Sequence, residues 1–360
     1  MVICLQKGAK MTQMNQMTRE IQGGFFDAEY RLQDITKQGD PLEKLNQHIE
    51  WEMFRPVLEE AFLAEGKDPQ KGGRPPYDYV MMFKILVLQR LYNVADERTE
   101  FAIKDRLSFM RFLGLTLKDK VPDEKTIWLF RETLTQSGVI KRLFKKFNRH
   151  LDKKGLIARR GSIVDASFVE VPRQRNTRDE NEDIRNGEVP EDWEDNTDKL
   201  RQKDMDARWT KKHGQSYFGY KNHAKVDRKS KLITDYATSD ASVHDSQKLD
   251  DLIDKGDAHH DLFGDSAYSS DEIDKKLKRR KIRNRIHEKG YRNHPLSPEQ
   301  EERNRMKSKI RVRIEHVFGF MENTMKAAFI RCIGGVRAAA AIGLINLTYN
   351  LCRSVQLCRA

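Results

Sequence analysis

The sequence predicts a mixed α/β domain behind an all-α block. Three observations carry that reading. Apolar residues between 42 and 153 recur at helical spacing. The period changes at Gly161, after which short strand patterns alternate with helices. A polar, acidic stretch over 173–213 separates the first strand from the next. A chain of 360 residues is long enough for two domains and a substantial core.

Residues 1–39 are polar and weakly patterned and read as an N-terminal arm, with Met11, Met14 and Met17 as alternative starts. Residues 40–155 form the helical domain. Asp40-Pro41 opens a helix, because Asp caps and Pro suits the first helical position. Leu42, Leu45, Ile49, Phe54, Leu58 and Phe62 follow at near-helical spacing, with a break or kink expected at Pro56. Residues 66–76 (GKDPQKGGRPP) are a basic connector rich in Gly and Pro. A strongly apolar helix runs from Tyr77 to about Val94, and shorter helices follow at 95–106, 107–113, 122–136 and 138–153. Pro122, Asp123 and Glu124 are placed in the first turn of the third of these, where acids suit the helix dipole.

Residues 156–360 form the α/β domain. A strand at 162–171 ends at Pro172. Within the excursion, residues 179–206 hold 12 acidic and 4 basic residues, a local net charge of −8, so it reads as solvated with a short helix near 198–209. Strands at 217–226 and 232–238, joined by the turn 227–231, make a hairpin. Then come a helix at 245–254, a short buried strand at 262–268 running into a turn, a helix at 270–280 and a strand at 282–287. A loop with Gly290, Pro295 and Pro298 leads to a long helix at 299–327, and a last apolar helix spans 336–357. No internal repeat is present.

Charge and composition narrow the partner. Lys+Arg number 67 against 55 Asp+Glu, a net charge of +12. Residues 275–331 alone carry 18 basic and 6 acidic residues, so that one segment holds the whole excess. Such a block suits a polyanion, nucleic acid above all. No run of about 18 apolar residues is present, so no membrane span is expected. The apolar stretch at the N-terminus is too short for a signal peptide. Cys4, Cys332, Cys352 and Cys358 show no CxxC spacing and read as reduced thiols of a cytoplasmic protein, with neither a zinc site nor a disulfide framework.

Three acids stand out by context. Asp165 sits mid-strand between apolar neighbours, Asp265 ends an apolar strand, and Glu315 lies on the long helix. A buried carboxylate needs a partner, so each has a plain alternative as a hydrogen-bonded structural acid. Together, two acids on neighbouring strands and one on a packing helix converge at one end of a sheet. Three carboxylates there suit two Mg²⁺ ions, or Mn²⁺ in their place, for phosphodiester displacement. Arg303, Lys307, Arg311 and Glu315 follow at i+4 steps in one helix stripe, which fits a DNA backbone; the alternative is a solvated charged face. Met306, Ile310, Ile314, Val317 and Met321 form the face that packs this helix on the sheet.

Other candidates carry less. His244 contacts a phosphate or steadies the turn before the next helix, and His316 is a packing, surface or site-supporting residue. Tyr268 stacks near Asp265 or fills the core, while Trp193 and Trp209 pin the acidic excursion or stack on a base. In the helical block, tight turns over 77–136 allow a helix-turn-helix-like arrangement in which Lys118, Lys120, Lys125, Thr126 and Arg131 reach DNA; the alternative is a packing or dimerisation domain. No Walker-type loop, G-x-S-x-G elbow or HExxH motif is present.

At these residues, from about 26 to 350, the chain resembles bacterial insertion-sequence transposases of the DDE class, in the group numbered five. The resembling stretches in the helical block are Gly73-Arg74-Pro75-Pro76-Tyr77, Arg90-Leu91-Tyr92-Asn93 and residues 121–131 (VPDEKTIWLFR). In the α/β domain they are Val164-Asp165-Ala166-Ser167, residues 218–223 (FGYKNH), His244-Asp245-Ser246, residues 264–268 (GDSAY) and residues 311–316 (RVRIEH). Each is short, and their order together is specific. The resemblance implies a ribonuclease-H-like catalytic fold, a metal-binding triad of Asp165, Asp265 and Glu315, and a helical block that recognises terminal inverted repeats. Arg311 and Glu315 fit the family's Arg-x-x-x-Glu signature. Ser308 stands where the signature has Tyr, and Glu322 where it has Lys. The contacts of those two side chains to the transferred strand therefore do not carry over, and Lys326 is the nearest stand-in for the Lys.

The expected protein is a nucleoid-associated DNA transposase, homo-oligomeric on double-stranded DNA. It binds inverted repeats, cuts at the element ends and joins the freed 3′-hydroxyls to target DNA. Its rivals are a ribonuclease-H-like nuclease that does not join strands, and an inactive repressor derived from a transposase.

Overall fold

The computed structural model describes residues 24, 26–63, 76–212, 214–292 and 294–358. The alternative start methionines, Cys4, nearly all of the connector at 66–76 and the family stretch Gly73-Arg74-Pro75 lie outside the described residues. Residues up to Asp40 form one unit, in which α1 (Asp27–Lys37) buries no side chain. The remainder, from Pro41 on, is a second unit.

That second unit opens with α2 (Pro41–His48), a 3₁₀ turn (Trp51–Phe54) and α3 (Arg55–Leu63). Pro56 does not break α3. It occupies the first turn, where its missing N–H costs nothing, and the break falls in the 3₁₀ turn before it. Next come α4 (Tyr79–Tyr92), α5 (Asp96–Asp105), α6 (Leu107–Leu113), α7 (Glu124–Gln136) and α8 (Val139–Lys153). Asp78 and Asp123 are N-caps, accepting hydrogen bonds from the Met81 and Thr126 N–H groups, so Tyr77, Pro122 and Asp123 lie before their helices rather than in them. Val80, Phe83, Ile85, Leu86, Val87 and Leu88 are all buried, so α4 is apolar nearly all round and runs through the core.

The α/β part begins with β1 (Ser162–Glu170). The excursion is more ordered than its composition suggests. It contains α9 (Arg178–Asn186), α10 (Glu191–Glu194), α11 (Thr197–Arg201) and β2 (Arg208–Lys212), so the helix expected near 198–209 is a short helix followed by a strand. Trp193 is fully buried; its indole N–H donates to Glu180 at 2.7 Å, and Lys199 donates to the same oxygen. One aromatic and a paired carboxylate thus give this lobe a small core. Trp209 instead stays exposed, against the Phe218 ring.

The hairpin is β3 (Gln215–Asp227) and β4 (Ile233–Asp240). The helix expected at 245–254 is a 3₁₀ turn (Asp245–Lys248) running into α12 (Leu249–Leu252). Then follow β5 (Asp261–Phe263), α13 (Asp271–Arg279), β6 (Arg283–Asn284), α14 (Pro298–Asn323) and α15 (Gly335–Leu357). The six strands form one mixed sheet in the order β2-β3-β1-β5-β6, with β4 also on β3. β3 is antiparallel to β1, β2 and β4, whereas β5 runs parallel to β1 and β6 parallel to β5.

The larger hydrophobic core runs from Leu42 of α2 to Val355 of α15 and includes Ile163, Ala224 and Val226 from one face of the sheet. α15 is its axle, packing on α2, α4, α7, α8, β3 and β4. Gly343 permits the close approach: a Cβ there would sit 2.8 Å from the Ile140 side chain of α8 and also against the Tyr236 hydroxyl. The opposite face of the sheet has a smaller cluster around Val164, Leu249, Leu262, Tyr268 and Leu277. α14 reaches the main core only through its second half. Ile314, Val317, Phe318 and Met321 are buried there, but Met306, assigned to the packing face, is 53% exposed because it lies in the first half of the helix, before α14 reaches the core. Among the described residues no helix is long and apolar enough to cross a membrane.

Candidate catalytic carboxylate site

Strand register creates the site. Ser162 pairs with Leu262 and Ile163 with Phe263 in parallel, so Asp165 and Asp265 each follow their paired residue by two positions on adjoining chains. Side chains alternate along a strand, which puts the Asp165 carboxylate on the face of Ile163, where α14 packs, while Asp265, just past the end of β5, is near enough for its charge to act on Asp165. Asp265 then caps a 3₁₀ turn, accepting from the Ala267 N–H at 2.9 Å. Arg311 of α14 closes the third side. Its guanidinium donates to Asp165 Oδ2 at 2.7 Å and, one helical turn on, to Glu315 Oε1 at 2.9 Å.

The electrostatics follow from burial. Desolvation pushes the Asp165 carboxyl up; the Ala166 N–H and the Arg311 guanidinium oppose this, the Asp265 charge reinforces it, and the group stands at about 6. Tyr268 lies beneath, fully buried, its hydroxyl without a hydrogen-bond partner. Burial and then the charges of Asp165, Asp245 and Asp265 drive its phenol upward. Glu315 is half exposed and faces the open side.

The donor chemistry suits a hard divalent cation: carboxylate oxygens only, one of them buried and short of compensating positive charge. The arrangement is not yet a closed cage. Arg311 fills the gap between Asp165 and Glu315, and among the described residues no three metal-ligating side chains lie close enough together to hold an ion.

The cation stripe behaves differently from a solvated face. Glu288 takes Arg303 in a two-pronged ion pair, both bonds 2.9 Å, and also takes Lys307. Lys307 further donates to the Ile286 carbonyl, so both cations tie α14 to the loop before it. The Glu288 carboxyl is held at about 2 by the Arg303 hydrogen bonds, with burial opposing and Lys307 assisting. Lys326 lies beyond the end of α14, in a left-handed conformation, and is not part of the stripe.

His244 takes the turn role: its Nδ1 lies 2.7 Å from Ser246 Oγ and accepts the Ser246 N–H, capping the 3₁₀ turn. Lys221 locks that turn to β3 through a buried pair with Asp245 at 2.8 Å. In the helical block, Lys125 and Trp128 are exposed on α7, whereas Arg131 pairs with Asp96 and holds α7 to α5. His316 is exposed, one residue past Glu315.

One neighbour was not legible in sequence. The His287 N–H donates to the Gly264 carbonyl at 3.1 Å, and its Nε2 lies 3.3 Å from Ser308 Oγ, at the position where the family signature has Tyr. Burial and the Arg311 and Lys307 cations lower its pKa, with Asp265 opposing. A His in a basic segment gives no periodic signal, so only the pairing of that segment with β5 reveals it.

Two family profiles match the chain. Residues 30–133 match Transposase domain (DUF772), and residues 157–351 match Transposase DDE domain. Both describe transposases. The second spans more than half of the sequence, and the chain belongs to the DDE transposase family. The match does not extend to a group number within it. Among solved structures the chain is similar to one described as a cryo-EM structure of piggyBac transposase synaptic complex with hairpin DNA. That likeness covers 87% of this chain and 74% of the other, at 11% identity and a TM-score of 0.43.

Proposed function

We propose that the protein binds the terminal inverted repeats of an insertion sequence, cuts at its ends and joins the 3′-hydroxyls to target DNA. The α/β part is read as a ribonuclease-H-like catalytic domain, and residues 40–155 as the module that recognises the ends. One observation carries this reading: Asp165 lies within β1 and Asp265 two residues past the end of its parallel neighbour β5, while Glu315 on α14 is joined to Asp165 through Arg311. Family membership supports it.

Asp165, Asp265 and Glu315 would hold two divalent ions, with Mg²⁺ the best match to their oxygen donors. When bound, such a pair activates the attacking oxygen and stabilises the leaving one. The chain's own residues supply position. β1 and β5 fix the two aspartates, α14 brings Glu315, and Arg311 orients two of the three carboxylates. Arg311 also offers a cation to a phosphate beside them. Arg303 and Lys307 act first as ties to Glu288, which leaves Arg311 as the stripe's direct DNA contact. Lys125, with Trp128 on the same helix, is the best-placed contact of the helical block. Arg131 and His244 serve by holding α7 and the turn in place.

The test uses a duplex carrying the element's end, full-length protein and Mg²⁺. Asp165→Asn is expected to abolish cutting while binding to the end persists. A variant that cuts at the wild-type rate would remove Asp165 from the site. Joined products from a pre-cleaved end with a free 3′-hydroxyl separate a transposase from a plain nuclease.

A further inference from the structure

A second basic site lies one row round α14 from Arg311 and Glu315. A cavity of about 130 Å³ opens between the β3–β4 turn, α14 and α15, lined by Lys231, His316, Phe320, Tyr349, Arg353 and Gln356. At about 30 Å³ per water, it has room for one tetrahedral oxyanion. The Phe320 and Tyr349 rings meet edge to face, centroids 5.6 Å apart, and form an apolar wall. Lys231 and Arg353 bring two cations to the remaining sides, and the Arg313 charge acts on Lys231 from outside the lining. Arg353 donates to the Ser230 carbonyl at 2.8 Å and to Gln356 at 2.9 Å, and Arg313 donates to the Arg228 carbonyl at 2.9 Å. Lys231 is fixed by the Tyr349 hydroxyl, which donates to its carbonyl at 2.9 Å.

What sets this cluster apart is its lack of counter-charge. Arg303, Lys307 and Arg311 on the same helix all have carboxylate partners. Among the described residues, no carboxylate stands within ion-pair distance of Lys231, Arg313 or Arg353. Like charges gathered at a half-buried site repel, and the fold keeps them there. Burial, then the Arg353 and Arg313 guanidiniums, hold the Lys231 ammonium below its usual range. Lys231 also adopts a left-handed backbone conformation, φ 61°, which Gly or Asn reaches at lower cost.

We propose that this pocket seats a backbone phosphate of duplex DNA, on a face of α14 distinct from the catalytic carboxylates. The inference rests on the reading of the chain as a DNA-cutting enzyme. The ligand chemistry is a tetrahedral phosphate, and the contact is blind to sequence.

The test measures binding of a random-sequence duplex to the full chain across a salt series, by fluorescence anisotropy. Lys231→Asn removes the ammonium and tolerates the left-handed backbone; Lys231→Arg keeps the charge. Thermal melting of each variant checks that the fold is intact. Lys231→Asn is expected to weaken binding about fivefold and to make the log-affinity against log-salt slope shallower by about 0.9, equally for every sequence. Lys231→Arg is expected to restore both. An unchanged slope and affinity in Lys231→Asn overturns the proposal. So does inorganic phosphate raising the melting temperature of the wild type but not of Lys231→Asn while DNA binding stays the same, because the pocket then takes a free anion. If the slope changes as expected but the wild type shows no Mg²⁺-dependent cutting, the proposed function falls and the phosphate pocket stands. A wild type that binds no duplex overturns both.

Discussion

Asp165 shows how one residue joins packing to chemistry. Its strand neighbours Ile163 and Val164 are fully buried, so its carboxylate is drawn into the interior and its charged form is penalised. Arg311 offsets part of that cost. Tyr268 is the neighbouring liability. A buried hydroxyl with no partner forfeits its hydrogen bonds to water on folding. Tyr268→Phe is therefore expected to leave stability unchanged or to raise it by about 1 kcal/mol, read from denaturant unfolding. A loss of more than about 1 kcal/mol would mean that the hydroxyl is satisfied.

At the level of elements, the acidic lobe between β1 and β3 is held by Glu180. Burial pushes its carboxyl up, yet the Thr177 N–H, the Trp193 indole and Lys199 outweigh burial and hold it at about 2. A carboxyl whose folded pKa is depressed contributes stability above its unfolded pKa of about 4.3, and that stability is lost as pH falls through the folded value. Glu180→Gln is thus expected to destabilise the lobe at pH 7 by about 1–2 kcal/mol. The gap from wild type should close between about pH 4 and pH 2. Limited proteolysis within 173–212 at both ends of that range checks it, and a gap that does not depend on pH would count against this account. The lobe is also tied to α15: Asp204 and Asp206 accept the N–H groups of Gly334 and Gly335 at 3.0 and 2.7 Å, which satisfies the helix start.

Across the whole molecule, helices and sheet share one core, and buried amides rivet it. Asn350 of α15 accepts the Ile233 N–H, donates to the Ile233 carbonyl and donates to Asn148 of α8. Asn346 exchanges two hydrogen bonds with Asn222 of β3. Asn350→Leu leaves strand and helix groups unpaired at once and is expected to cost about 2–4 kcal/mol. Because α8, β4 and α15 meet there, unfolding should stay a single transition for probes in residues 41–153 and in the sheet. Two separated transitions would show that the helical block folds independently.

Most elements were legible because local rules set them. The helices at 95–106, 107–113 and 138–153 match α5, α6 and α8 within a residue or two, since apolar period and end signals act over a few positions. The excursion is more ordered than its composition predicts because its core is Trp193, Ile184 and the paired Glu180, too few apolar residues to make a period. By itself the sequence determined the order of elements, the three candidate acids, the place of the basic excess and the family resemblance. Tertiary structure alone decided which charges are available. Glu288, Asp96 and Glu132 consume Arg303, Lys307, Arg131 and Arg337, while among the described residues Lys231, Arg313 and Arg353 are left without a carboxylate. The reason is physical: helical period and strand alternation are properties of neighbouring residues, but an ion pair depends on which distant segments the fold brings within about 4 Å.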